Sequence, residues 1–435
     1  MTVLFRRETP LPSPVAAVVG RAGAPRPTDG ATIEKIVEQR LLTAEFQPVV
    51  SLNNRHVIGF EALARGPVNT RLASPAAMLT AASFKGLLPE LDTVARSVAA
   101  DAVLKLDLPD ETLLFVNALP QGLLADVPDD LADSLREAID RYTVVTEIDD
   151  AVLTGDPLLA VHAADRVRAL GVRVAVDNFG ASIDALALLP LLAPDVIKLD
   201  MSLLGHAPNA HAAMVLDTVA DYRRTTGALV VAQGIEHDHQ LPLAGGLGAR
   251  LGQGYLFGAA ATVPQLSGGN DGRITLPAPA AVKGDNLDPL VLPGEEIIAP
   301  GSLVRELAAR LERTATSSDI PAAMAIVCPN GRFPSGAPLA AANHVARGSA
   351  MTVLLAPDAA LRPIRRVHLA ALPSGDPLFQ HTVIAILTPS TAAALVATAS
   401  PGTEDTYTYR FSRDRDVAIR LLRHLLARAA FEEYA

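Results

Sequence analysis

Glu61, Asn117, Glu147, Asp177 with Asn178, Lys198 with Asp200, Gln233 with Glu236, and Gln253 each close or follow a short apolar, strand-like run. The steps from Asn117 to Glu147 and from Glu147 to Asp177 are both 30 residues, the length of one strand-plus-helix unit. Carboxylates scattered over a surface would not keep that step. Oxygen and amide donors gathered without Cys or His suit hard cations such as Mg²⁺ or Mn²⁺. Two such ions would clamp the attacking and leaving oxygens of a phosphoryl displacement. For each carboxylate taken alone, the alternative is a helix N-cap or a solvated loop charge.

These residues need elements that aim them at one point. The strand-like runs are Phe46–Leu52, Val57–Leu63, Leu113–Leu119, Thr143–Ile148, Arg173–Val176, Val196–Leu199, Ala228–Ala232 and Gly254–Phe257. Helical patterns separate most of them, which predicts an eight-stranded α/β barrel whose chemistry sits at the C-terminal strand ends. The first two runs are joined only by Asn53 to His56. So short a link predicts a hairpin and hence one antiparallel strand, because parallel neighbours need a longer crossover.

The 435 residues suggest two to three domains. Breaker-rich stretches mark the divisions: an N-terminal arm over 1–30, and a Pro/Gly-rich linker over 263–300. Between and after them lie the 31–262 barrel and a smaller α/β sandwich over 301–435. In the sandwich, Ala323–Cys328, Met351–Leu355, Arg366–Ala371, Val383–Leu387 and Thr406–Phe411 read as strands, and Ser302–Thr314 and Arg413–Ala430 as helices. A net charge of −10 argues against DNA and anionic lipid, and 4% aromatics without Trp argue against base-stacking platforms. The single Cys, Cys328, excludes an internal disulfide and reads as a buried small hydrophobe. No run is long and apolar enough for a signal peptide or a spanning helix, so the expected location is the cytoplasm. The chain uses only five Lys among its 37 basic residues, so Lys198 at a strand end stands out as a compact point charge. His237-Asp238-His239 reads as a solvated helix start, and Arg410 with Arg413 to Asp416 as a solvated helix entrance.

The same residues carry a resemblance. Phe46-Gln47-Pro48-Val49-Val50 through Gly59-Phe60-Glu61-Ala62-Leu63-Ala64-Arg65 resembles the opening of an EAL domain, a phosphodiesterase or receptor of cyclic di-GMP. The likeness continues in order through Phe115-Val116-Asn117, Glu147-Ile148-Asp149-Asp150, Asp177-Asn178-Phe179-Gly180, Val196-Ile197-Lys198-Leu199-Asp200, Ala232-Gln233-Gly234-Ile235-Glu236 and Gln253-Gly254-Tyr255. It implies a modified (β/α)₈ barrel. It also implies that Glu61, Asn117, Glu147 and Asp177, with Asn178 beside it, ligate metal, and that Lys198 holds the attacking water and the scissile phosphate. Arg65 would contact a ligand phosphate. Asp200, Glu236 and Gln253 would line the ligand site, and Asp150 would anchor the loop after the fifth strand.

Two departures bear on catalysis. Family enzymes carry adjacent aspartates where this chain has Asp177-Asn178, and a glutamate, taken as the general base, where it has Gln233. An amide cannot accept a proton near neutral pH. The loop Phe179-Gly180-Ala181-Ser182-Ile183-Asp184-Ala185 also departs from the family pattern, in a region that links metal binding to dimerisation. The expectation is a degenerate EAL domain that binds cyclic di-GMP with weak or no hydrolysis to pGpG. The alternatives are an active Mg²⁺- or Mn²⁺-dependent phosphodiesterase with Glu236 as base, and a protein-interaction scaffold without nucleotide binding. A homodimer through the barrel and a protein partner are both compatible with the resemblance. Gly375-Asp376-Pro377-Leu378, the Ala392–Ala397 run and Tyr409-Arg410-Phe411-Ser412 resemble, more weakly, a DICT sensory domain, which would modulate the barrel.

Overall fold

The structure, a computed structural model, describes residues 31–106, 108–204, 209–263, 276, 288–317, 321–338, 345–346, 348–357, 367–402 and 405–433. The N-terminal arm and most of the 263–300 stretch lie outside these residues.

Eight strands close into a barrel in sequence order: β1 (Thr43–Ser51), β2 (Val57–Arg65), β3 (Leu113–Asn117), β4 (Thr143–Asp149), β5 (Arg173–Asp177), β6 (Val196–Asp200), β7 (Leu229–Gln233) and β8 (Leu251–Gly252). β1 runs antiparallel to both of its neighbours, and every other adjacent pair is parallel. The hairpin expected from the short Asn53–His56 link is present, with Arg55 at φ +60° in its turn. The barrel strands are apolar on both faces because each is covered inside by its barrel partners and outside by helices. The eighth strand differs from expectation: it is a two-residue pairing at Leu251–Gly252, and Gly254–Phe257 forms a turn instead. Gly254 has φ +150°, and a Cβ there would lie 2.2 Å from the Ile235 carbonyl oxygen, so the chain turns where only glycine fits.

The second unit is one seven-stranded sheet. Its strands are β9 (Ile297–Pro300), β10 (Ala322–Val327), β11 (Ser349–Ala356), β12 (Val367–Ala371), β13 (His381–Leu387), β14 (Ala392–Ala399) and β15 (Thr406–Ser412). The order is β12-β11-β10-β13-β14-β15-β9. Two of these strands were not anticipated. β14 is alanine-rich, and alanine suits a sheet packed tightly on both faces even though its helix propensity is high. β9 lies inside the stretch read as linker and pairs with β15 from Ile297↔Tyr409 to Pro300↔Thr406. Arg410 corrects a second expectation. It belongs to β15, and its guanidinium donates to the Leu292 and Gly294 carbonyls at 2.9 and 2.8 Å, tying down the approach to β9 rather than standing in solvent.

The alternation of strand side chains divides this sheet into two faces. Met324, Ile326, Leu354, Ile384, Ile386 and Leu395 pack against Val304, Ala308 and Leu311 of the Gly301–Ser317 helix. Buried Cys328 joins this apolar cluster, as its sequence setting suggested. The opposite face meets the Arg415–Glu433 helix and, beyond it, the barrel itself. The barrel helix Ala185–Leu192 reads ALALLPLL, and every residue in it is buried. A helix apolar all round must be covered all round. Here the barrel covers one side, and β10, β11 and the Arg415–Glu433 helix cover the other. One continuous apolar cluster therefore runs from the barrel strands through this helix into the second sheet.

Candidate active site

The C-terminal ends of β2 to β7 open at one mouth of the barrel, because these strands are parallel. Register makes neighbours of distant residues: Asn117 stands beside Glu147, and Asp200 beside Gln233. Lys198 occupies the centre and is wholly buried. Its Nζ lies 2.5 Å from Glu147 Oε1, 2.8 Å from Glu61 Oε2 and 3.6 Å from Asp177 Oδ1. Glu61 also accepts from Asn117 Nδ2 at 2.9 Å and from Gln253 Nε2 at 2.6 Å. Asn178, at φ +53°, donates from Nδ2 to Asp177 Oδ2 at 3.1 Å and to Asp149 Oδ2 at 2.8 Å. Gln233 ends β7 at the same mouth, half-buried and in register with Asp200.

Three buried carboxylates share one ammonium, and their ionisation reflects the shortage. Burial would raise Glu61, but the Lys198 charge and the hydrogen bonds from Lys198, Gln253 and Asn117 hold it below the ordinary carboxylate range. Burial pushes Glu147 well above that range, and the Glu61 charge adds to the push against Lys198. Asp177 is likewise raised by burial, against the pull of Lys198. Burial would lower Lys198, but Glu147, Glu61 and Asp177 together raise it, so the ammonium stays charged.

Asp150 begins the helix after β4, and its Oδ2 accepts from the backbone N–H groups of Gly180 at 2.9 Å and Ser182 at 3.4 Å. Its carboxyl is pushed up to about 6, chiefly by burial.

The other expected residues stand apart from this cluster. Arg65 sits at the rim and pairs through Nε with Glu45 Oε2 at 2.8 Å. Asp200 caps its own turn by accepting from Ser202 N–H at 2.6 Å. Glu236 is exposed beyond the end of β7. His237 and His239 are exposed too, at the capped start of a short 3₁₀ turn, as the solvated helix start implied. Two participants escaped the sequence reading. Gln47 accepts from Gln253 at 3.0 Å; it lies directly across the hairpin from Glu61, so the β1–β2 register could have found it. Asp149 accepts from Asn178, and its place beside Glu147 and Asp150 was its only signal.

The donor set contains oxygen and amide groups only, which suits a hard divalent cation. Among the described residues, Glu147 Oε2 and Asp177 Oδ1 are buried with no hydrogen-bond donor, so two carboxylate oxygens remain for a cation to satisfy. As placed, however, the carboxylates turn towards Lys198, and among the described residues no three Asp, Glu, His or Cys side chains stand together at ligating spacing. The residues fit a divalent ion by chemistry.

Residues 31–260, more than half of the chain, match the EAL domain family. The chain belongs to that family. Among curated relatives of this EAL protein, YkuI, an uncharacterized EAL-domain containing protein of Bacillus subtilis, is 28% identical over 216 residues, spanning 48% of this chain and 53% of YkuI. PdeB of Escherichia coli, a probable cyclic di-GMP phosphodiesterase, is 28% identical over 234 residues, spanning 52% of this chain and 44% of PdeB. The EAL protein thus spans about half the length of either relative. Among solved structures, the manganese and cyclic di-GMP complex of Klebsiella pneumoniae BlrP1 is 26% identical, with a TM-score of 0.44, over 55% of this chain and 58% of that one. In this EAL domain one of the two departures bears directly on a carboxylate: Asn178, an amide where the resemblance implied an acid, donates to Asp177.

Proposed function

We propose that this EAL domain binds cyclic di-GMP and hydrolyses it weakly or not at all. The observation that carries this is the amide Gln233 at the end of β7, half-buried at the barrel mouth in register with Asp200, where the resemblance puts the general base. An amide cannot take a proton from an attacking water near neutral pH, and general-base catalysis is worth about 10²–10⁴-fold in rate. Asn178, an amide where the resemblance implied an aspartate, leaves the site with one negative charge fewer. Glu236 does not compensate, because it is exposed outside the cluster.

Mg²⁺ or Mn²⁺ would be held by Glu61, Asn117, Glu147, Asp177 and the Asn178 carbonyl, and would polarise a phosphate oxygen. Lys198 supplies the fixed positive charge of the mouth, and its three acidic partners keep it protonated. Arg65 at the rim offers a second cation to a phosphate, and Gln253 fixes Glu61. Asp150 holds the Gly180 turn that follows the Asp177-Asn178 pair. The second unit, DICT-like by its weaker resemblance, would modulate the barrel through the shared Ala185–Leu192 helix. A homodimer through the barrel would need a different face, since the second unit covers that helix. A cytoplasmic location agrees with a nucleotide ligand of this kind, and no described helix is long and apolar enough to cross a membrane.

The test is made on the full chain with Mg²⁺ and with Mn²⁺. Titration calorimetry should show cyclic di-GMP binding, while conversion to linear pGpG stays near background. The double substitution Gln233→Glu with Asn178→Asp should raise turnover by about 10²-fold or more. Wild-type turnover matching that of the double variant would overturn the degenerate assignment, and silence in calorimetry would favour a scaffold.

A further inference from the structure

The segment that leaves β5 is bent at two points. Asn178 has φ +53° and Gly180 has φ +94°. Left-handed backbone at a non-glycine residue persists only where its surroundings fix it. Here Gly180 is held through both of its backbone groups. Its N–H donates to Asp150 Oδ2 at 2.9 Å, and its carbonyl accepts from His211 Nε2 at 2.6 Å. A carbonyl can only accept, so His211 carries its proton on Nε2 in this contact. Phe179, between the two bends, donates its N–H to the Lys198 carbonyl at 3.0 Å.

His211 comes from the first turn of the Ala210–Thr226 helix, which Asn209 caps by accepting from Ala212 N–H at 2.9 Å. Val215, four residues on and so on the same face, closes over Gly180: a Cβ there would lie 2.8 Å from Val215 Cγ1. About three turns along the helix from His211, Tyr222 donates its hydroxyl to the Pro194 carbonyl at 3.0 Å. One helix therefore grips the 180–194 segment at both ends.

We propose that His211 is a positioning residue of the site, fixing the Gly180 carbonyl and through it the backbone that presents Asp177 and Asn178 to the barrel mouth. His211 touches neither carboxylate nor Lys198; it acts on them through the loop. Its effect on ligand rests on the proposed cyclic di-GMP function, whereas its effect on the loop does not.

The experiment uses the full chain with His211→Leu, which removes the donor, and His211→Gln, which keeps one. Hydrogen–deuterium exchange over 178–184, with no ligand present, reads the loop. Mn²⁺ titration by water-proton relaxation and cyclic di-GMP titration by calorimetry read the site. His211→Leu should speed exchange in 178–184 by about tenfold, as loss of one hydrogen bond predicts, and weaken both affinities by a similar factor. His211→Gln should recover most of each, with the urea midpoints of the two variants agreeing. Unchanged exchange in His211→Leu overturns the clamp. Faster exchange with unchanged affinities limits His211 to loop stability and overturns the positioning role. Equal loss in both variants does the same, because it assigns the effect to shape rather than to the donor. If the wild-type chain takes up neither Mn²⁺ nor cyclic di-GMP, the proposed function fails, and His211 is then judged on the exchange contrast between the two variants.

Discussion

The barrel mouth and the seam around the Ala185–Leu192 helix lie at opposite ends of one short segment, residues 177–192, yet they are buried by opposite means. At the mouth, charge is taken out of water, and Glu61, Glu147 and Asp177 are tolerated only because Lys198 stands among them. At the seam, eight apolar residues are enclosed between barrel and second sheet with no charge in their core. Charge enters only at the helix end. There Arg168 donates to the Leu192 and Ala193 carbonyls at 2.6 and 2.7 Å, and Arg423, from the second unit, donates to the Leu191 carbonyl at 2.5 Å while pairing with Asp165. Electrostatic burial is local and depends on single atoms, whereas apolar burial is spread over many residues and depends on both units being present. The difference makes the two regions separable by mutation.

The largest effect should come from cutting the seam. A chain ending at residue 262 would expose the outer side of the Ala185–Leu192 helix. It should aggregate or lose its cooperative melt by size-exclusion chromatography and calorimetry. A barrel that melts as it does in the full chain would break the comparison, by showing that the second sheet adds nothing to its core.

At the mouth, Lys198→Met keeps the side chain's bulk and removes the ammonium. Stranding buried carboxylates in this way costs about 3–5 kcal/mol, read as a lower urea midpoint at unchanged slope. The deficit should shrink as pH falls, because protonated carboxyls need no counter-charge. A pH-independent deficit would mean that Lys198 is packing rather than charge.

Asp150 gives a smaller and oppositely informative signal. Its carboxyl sits at about 6 in the folded chain against an ordinary value of 3.8. Between those values the folded state holds a proton that the unfolded chain has released. Stability should therefore fall as pH rises from about 4 to about 6, by about 3 kcal/mol at most. The Asp150→Asn variant should flatten that slope in urea titrations made across the window.

The smallest expected effect returns to the seam. Arg423→Leu removes a helix-end hydrogen bond and an ion pair, and should lower stability by about 1–2 kcal/mol. If it cost as much as Lys198→Met, the seam too would depend on single charges.

The barrel was legible because its strands are short apolar runs at a repeating interval and its polar residues end them. The hairpin at Asn53–His56 was legible from its length alone. β14 was not, because an alanine run carries no period that separates helix from strand until its neighbours are known. β9 was hidden because Pro and Gly surround it, and its pairing partner lies more than 100 residues away. At the site, Glu61, Asn117, Glu147, Asp177 and Lys198 could be named from strand ends. Arg65, Asp200 and Glu236 could be named too, but sequence could not tell that the first turns to Glu45, the second to its own backbone and the third to solvent. His211 gave no local sign, since what it holds is a backbone carbonyl 31 residues earlier.

By itself the sequence determined which chemistry is available: oxygen donors at strand ends, one lysine among them, and amides at two positions where the family resemblance implied acids. That follows from side-chain type, which no fold can alter. Only the tertiary structure decided where those groups point. It turned the Asn178 amide onto Asp177, set Lys198 between three carboxylates, and enclosed the Ala185–Leu192 helix between two units. Hydrogen bonding and burial depend on distances between residues far apart in the chain, and those distances exist only once the barrel has closed.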